Sequence, residues 1–328
     1  MYKTLFLVIA FFSANAYATC VKLPGVHTTT TTDNCSLDDG EGIEITETGK
    51  VEGSSQAISA KKATSISNAG VISSNTGNGI YANHHSDFSD GISNTGTIKA
   101  GSDGVYIDFH SNISGGLHNI GTITAGNDGI RITTNNITCL VRNDGIINAT
   151  NDGIFMWELS DITGGINNSG TINAGSNGFY LSSDSDISGG IDNSGDISGE
   201  ANGIHLYSGP FSSKTTDISG GVLNQEGGTI SGGNNGIYLS YNSDISGGIN
   251  NSGDISGEAN GIGGDSALNL GSGNNRVINY GLLDGSVILG DWSLDIKVLN
   301  RVLLEKQPVA ITLSSILMAH SPQKILSM

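Results

Sequence analysis

A unit of about 25 residues recurs almost without interruption from Gly49 to Gly281, and a fixed period of that length forces a stacked-repeat architecture. The anchor is Asn-x-Gly-x-Ile, seen as Asn68 to Ile72, Asn94 to Ile98, Asn119 to Ile123, Asn143 to Ile147, Asn168 to Ile172, Asn193 to Ile197 and Asn251 to Ile255. A variant copy, Asn224 to Ile230, carries extra residues. A second anchor follows, an Asn/Asp-Gly pair and then an apolar residue, with glycines at 79, 104, 129, 153, 178, 203, 236 and 261. The steps between them are 25, 25, 24, 25, 25, 33 and 25 residues.

Within one copy, Gly178 to Asn202, the apolar residues fall in short clusters: Phe179 and Leu181, Ile187 and Ile191, then Ile197. Clusters this short suit strands and not helices. The Gly, Asn and Asp between them tolerate the left-handed backbone that turns require. One copy therefore reads as about three strands and three turns, one rung of an all-β parallel β-helix (β-solenoid), expected right-handed.

Stacking the copies aligns Ile80, Val105, Ile130, Ile154, Phe179, Ile204 and Ile237. It also aligns Ile107, Ile132, Met156, Leu181, Leu206 and Leu239, and a third series of Phe88, Ile113, Ile137, Ile162, Ile187, Ile218 and Ile245. These columns should face inward. About five buried side chains per rung do not offset the backbone entropy of ordering it, so each rung needs neighbours above and below. The asparagines at 68, 94, 119, 143, 168, 193, 224 and 251 form a further column, expected as an amide ladder or as turn caps.

The chain has 49 Gly and 4 Pro in 328 residues, a profile that suits a turn-dense solenoid. Its net charge of −17 argues against a nucleic-acid partner, which needs a basic footprint. Part of the acid is organised. Asp87, Asp161, Asp186, Asp217 and Asp244 share one column position, with Asn112 and Asn136 between. Repulsion between carboxylates one rung apart makes Asp161, Asp186, Asp217 and Asp244 a candidate calcium column. The competing reading is a solvated row screened by salt. No other cofactor is expected.

Residues 1–18 read as a secretory signal: Lys3, the apolar run Leu5 to Phe12, and the small-x-small site Ala16-Tyr17-Ala18. That implies export to the periplasm, the cell surface or the medium. Residues 19–48 read as an N-terminal cap, stapled by a candidate Cys20–Cys35 disulfide in an oxidising compartment. Cys139 reads as a buried apolar residue. Residues 49–296 are the repeat domain, and residues 297–328 form an atypical tail.

The 33-residue step contains an insertion near Ser208 to Thr216 with Pro210, Phe211 and Lys214, a candidate binding loop because solenoid insertions emerge on one face. His84, His85 and Asp87, with Asp108 and His110 one rung on, form a weaker candidate metal group. Trp157 and Tyr180 are a candidate aromatic pair for a sugar, or else strand packing.

The repeats GGINNSGTI (residues 164–172) and GGIDNSGDISGEANGI (residues 189–204) resemble the Gly/Asn-rich rungs of bacterial autotransporter passengers, the type V secretion family. The stretch Leu268 to Gly290 resembles the segment that often precedes the translocator in that family. The resemblance implies a rod displayed at the outer membrane as an adhesin. It implies partners on host or neighbouring cells, protein or glycan, and membrane contact only through a translocator barrel. The segment 297–328 is too short for such a barrel, so the expectation is a truncated passenger, with a non-functional gene remnant as an alternative. A β-helical polysaccharide lyase or glycosidase is the enzymatic alternative. Such an enzyme needs a distinct carboxylate pair, and no pair stands out from the repeat.

Overall fold

The computed structural model describes residues 26–296, apart from 28–29, 32–33, 62, 84–85, 87, 109–110, 135, 210–214, 258–265, 270–275 and 289–292. Every described element is a strand, and every pairing is parallel. The strands form three long sheets of 12, 11 and 11 members in which each strand pairs with its counterpart one rung away. The chain is a parallel β-solenoid, as the period requires.

In one rung Ile166–Asn168 belongs to the first sheet, Thr171–Ala174 to the second and Asn177–Ser182 to the third. Asp186–Ile187 then pairs in a short accessory sheet. Five large side chains of this rung, Ile166, Ile172, Phe179, Leu181 and Ile187, are buried. All three predicted apolar columns lie in the core.

Two glycine positions explain how tightly the turns close. Gly190, the second of its Gly-Gly pair, sits at φ +81°, a region costly for residues with a Cβ. Gly170, in the Asn-x-Gly anchor, lies so close under the previous rung that a Cβ would strike the carbonyl of Gly145. The turn after the third sheet uses side-chained residues in the same φ > 0 region: Glu158, Leu159, Ser183, Asp184 and Tyr241. A buried serine holds this turn. Ser160 Oγ donates to Trp157 O at 2.7 Å, Ser185 to Ser182 O at 2.7 Å and Ser243 to Ser240 O at 2.7 Å.

The anchoring asparagines form a continuous ladder. From Asn68 to Asn279, eight amide-to-amide bonds of 2.7 or 2.8 Å run rung to rung, each Nδ2 donating to the next Oδ1 toward the C-terminus. Within a rung, Asn168 Nδ2 also faces Gly170 O at 3.2 Å. The amides therefore ladder and cap their turns at once. The ladder starts at Asn68 because Ile45 holds the equivalent place one rung earlier, leaving Asn68 Oδ1 buried and without a donor.

The stacked sheets extend N-terminal of Gly49. Cys35–Leu37 pairs with Ile58–Lys61, and Gly42–Ile45 pairs with Ser65–Asn68. Cys35–Leu37 and Gly42–Ile45, within the segment expected as a cap, are thus solenoid strands. Their step is shorter, Ile43 to Ile66, and Ile45 replaces the anchor asparagine, so the motif is missing. Cys35 is buried and disulfide-bonded; its expected partner Cys20 lies outside the described residues, as do the signal segment 1–18 and the tail 297–328. Cys139 is a free thiol, partly exposed rather than buried, with Sγ on Ser114 O.

Candidate functional site: a lengthwise groove on the second sheet

Strands of the second sheet alternate inward isoleucine with outward polar residues. In Thr171–Ala174, Ile172 faces the core and Asn173 faces out. Register stacks Asn148, Asn173, Ser198 and Ser231 as one outward row. The next position stacks Ala149, Ala174, Gly199 and Gly232. It must be small because the chain turns back there: a Cβ on Gly232 would strike the carbonyl of Asn235. The turn residues Thr150, Gly175, Glu200 and Gly233 rise beyond it.

Between the outward row and the turns lies an open groove of about 820 Å³ that crosses four rungs. A second stretch of about 420 Å³ occupies the same face on earlier rungs, beside Ser73, Lys99 and Ala100. Three rungs of one wall are joined by hydrogen bonds: Asn173 Nδ2 donates to Asn148 Oδ1 at 3.0 Å, and Ser198 Oγ donates to Asn173 Oδ1 at 3.1 Å. Glu200 is the single charged residue lining the larger stretch.

The turns forming the other wall rest on a second column of buried polar residues, Asn78, Asp103, Asp128, Asp152, Asn177 and Asn202. Asp128 and Asp152 are 0 % and 3 % exposed. Asp103 Oδ1 accepts from Asn127 Nδ2 at 2.7 Å and Asp128 Oδ1 from Asn151 Nδ2 at 2.8 Å. Burial pushes the Asp128 carboxyl up to about 6, against hydrogen bonds from the Asp152 amide and Asn151, with Asp103 and Asp152 adding repulsion. Burial raises Asp152 as well. These acids belong to the Asn/Asp-Gly anchors, which the sequence presents only as turn formers.

The candidate calcium column does align: Asp161 pairs with Asp186, and Asp217 with Asp244. Its oxygens meet donors of neighbouring rungs. Asp186 Oδ1 accepts the Asp217 N–H at 2.8 Å, Asp161 Oδ1 accepts Ser188 Oγ at 3.1 Å, and Asp217 Oδ2 accepts Ser246 Oγ at 2.6 Å. Among the described residues no group of three or more His, Cys, Asp or Glu is placed to hold a metal ion. Burial pushes Asp186 up to about 6, opposed by the Asp217 N–H and reinforced by the charges of Asp217, Asp161 and Asp184.

The aromatic pair is different from the expected one. Trp157 aligns with Thr133 on the rung before, and its Nε1 donates to Ser183 Oγ at 3.0 Å. The partner of Tyr180 is Phe155, two positions earlier, with ring centroids 5.4 Å apart. The outward row of the third sheet continues this stack: Tyr180 on His205 at 4.9 Å and His205 on Tyr238 at 4.8 Å. Arg131 lies between Tyr106 and Phe155, 5.3 and 4.8 Å from their centroids, and reaches Asp128 Oδ2 at 3.2 Å. Because the rings lie face to face along the rod, their faces cover one another and are withheld from a sugar.

Pro210, Phe211 and Lys214 of the insertion lie outside the described residues, as do His84, His85, Asp87 and His110. No family model matches the chain, and comparison with curated proteins and with solved structures finds no match.

Proposed function

We propose that this chain is a secreted or surface-displayed interaction rod of the adhesin type, an autotransporter-like passenger whose second sheet carries an extended, uncharged glycan. The observation that carries this reading is the lengthwise groove, whose wall repeats the same hydroxyl and amide chemistry on successive rungs. A periodic wall suits a periodic ligand. Sugar hydroxyls exchange hydrogen bonds with Asn and Ser at little desolvation cost, since both sides remain wet. The net charge of −17 disfavours polyanions at the same surface. A peptide partner is less well served. Peptide recognition draws on a free sheet edge or apolar anchor pockets, whereas interior rungs pair on both sides and the groove floor is Ala and Gly.

The resemblance of the Gly/Asn-rich rungs to autotransporter passengers supports export and display. Binding is favoured over hydrolysis because the larger stretch of the groove is lined by one carboxylate, Glu200, where glycosidases use two close together.

Affinity electrophoresis of the full chain through gels holding neutral polysaccharides (a β-glucan, a mannan, a galactan) tests the reading. Retardation by at least one polymer is expected, and Asn173→Trp, an exposed position that fills the groove, should abolish it. Migration unaffected by every polymer, or retardation that Asn173→Trp leaves unchanged, refutes the groove as the site.

A further inference from the structure

We propose that Asp128 and Asp152, stacked on consecutive rungs beside Asp103, act as one proton-binding pair, so that proton uptake from mildly acidic solution tightens the turns above them and stabilises the middle rungs of the rod. Where the same column carries asparagine, each amide donates to the rung before it. Asn202 Nδ2 donates to Asn177 Oδ1 at 2.8 Å, Asn235 Nδ2 to Asn202 Oδ1 at 2.7 Å, and Asn177 Nδ2 to Asp152 Oδ1 at 2.8 Å. Each rung thus hands one donor to the rung before it, opposite in direction to the Asn68–Asn279 ladder.

An ionised aspartate has no donor to hand on. At Asp128 and Asp152 the role falls to the preceding residues, as Asn127 and Asn151 reach back to Asp103 and Asp128. Backbone donors help: the Asp128 N–H lies 3.2 Å from Asp103 Oδ1 and the Asp152 N–H 3.1 Å from Asp128 Oδ1. Three carboxylates on consecutive rungs remain, all of them buried. A proton on Asp128 or Asp152 makes that carboxyl neutral, with a donor of its own, as the amides of Asn177 and Asn202 are further along the column. It also removes like charge about one rung apart, roughly 4.8 Å.

Arg131, from the third sheet, holds Asp128 Oδ2 and acts electrostatically on Asp152. Tyr180 feels the charge of Asp152. Arg131 is shared between Asp128 and Asp152, and Asp103 adds like charge at Asp128, so the stack favours at least one bound proton. The direction of the Asp128 and Asp152 shifts agrees with this. The sign follows by linkage. Groups with raised carboxyl pKa values favour the fold at low pH, and that contribution is lost as pH rises through the folded value, about 6 for Asp128.

Among the described residues, two other groups are shifted into the same pH range. Asp186 shifts the same way, and His205, whose pKa burial lowers, shifts the opposite way. The test is therefore differential. Melting temperatures of the full-length wild type, Asp128→Asn and Asp152→Asn are compared at pH 7.5, 6.0 and 4.5. The difference between each variant and wild type should move against the variant by several degrees from pH 7.5 to pH 4.5, because protonation gives wild type what the amide already supplies. Asp152→Asn keeps the Arg131–Asp128 pair and guards against a folding defect in the first variant. Differences that stay constant across the three pH values for both variants overturn the proposal.

Discussion

Cutting the asparagine ladder in the middle should hurt far more than shortening it at its end. Asn168 is fully buried; its Nδ2 donates to Asn193 Oδ1 at 2.8 Å and faces Asp196 O at 3.2 Å, and its Oδ1 accepts from Asn143 Nδ2 at 2.8 Å. Asn168→Ile removes two ladder bonds, each worth about 1 kcal/mol net. It also strands Asn193 Oδ1 in the interior, an unsatisfied acceptor that costs about 1–3 kcal/mol. The sum is roughly 3–5 kcal/mol. Asn68→Ile performs the same chemistry where Ile45 already ends the ladder. It removes one ladder bond and moves the orphaned acceptor from Asn68 to Asn94, so the number of orphans is unchanged. Its cost is about 1 kcal/mol. At roughly 2–4 °C per kcal/mol for a chain of this size, Asn168→Ile should melt about 6–20 °C below wild type and Asn68→Ile only a few degrees below it. Thermal denaturation followed by circular dichroism checks both. Equal shifts for the two variants, or a mid-ladder shift within about 2 °C, would refute the view that the amides act as a connected chain.

His205, whose pKa burial pushes down to about 4, resists protonation in the fold, so its contribution is lost as pH falls from about 6.5 toward 4. His205→Phe keeps a ring between Tyr180 and Tyr238 and should lose less melting temperature than wild type between pH 7 and pH 4.5. Asp144 is held well below the usual carboxylate range. Burial pushes it up, but Arg142 Nε at 2.7 Å, Ser169 and His118 outweigh that. Its stabilisation is therefore present above the ordinary carboxyl pKa and lost as pH falls below it. Asp144→Asn should melt below wild type at pH 7, with the gap narrowing as pH falls from 4 to 2 in the same assay. Gly227→Ala, at φ +85° with open space around it, should cost about 1–2 kcal/mol. Gly170→Ala drives a methyl into Gly145 O and should melt lower than Gly227→Ala.

The apolar columns and the asparagine ladder were readable in the sequence because each recurs at the period of the rung and each keeps one kind of side chain, apolar in the first and amide in the second. Features that depend on burial or on exact offset were not. Asp103, Asp128 and Asp152 carry the same Asp-Gly signature as an exposed turn, and only the fold reveals that their carboxyls point inward. The ring stack mixes Tyr, Arg, Phe and His at one outward position, so composition hides it. Its register also exposes the error of pairing Trp157 with Tyr180, since the true partner, Phe155, lies two residues earlier. The early rung at Gly42–Ile45 lacks the anchor asparagine and escapes a motif search. The groove arises from small residues at strand ends next to a closing turn, a shape no single position announces.

The central claim is that each repeat is one rung, so distance along the rod counts rungs and not residues. Spin labels on outward positions of the second sheet read this directly, in a Cys139→Ser background. Thr97 and Asp196 are four register steps apart, and Thr97 and Asp254 are six. At about 4.8 Å per step, double electron–electron resonance should give narrow distributions near 19 Å and 29 Å. The 33-residue step between Asp196 and Thr229 should add no more than any other single rung. Broad distributions, or distances that grow with sequence separation through the insertion, would contradict the stacked-rung account.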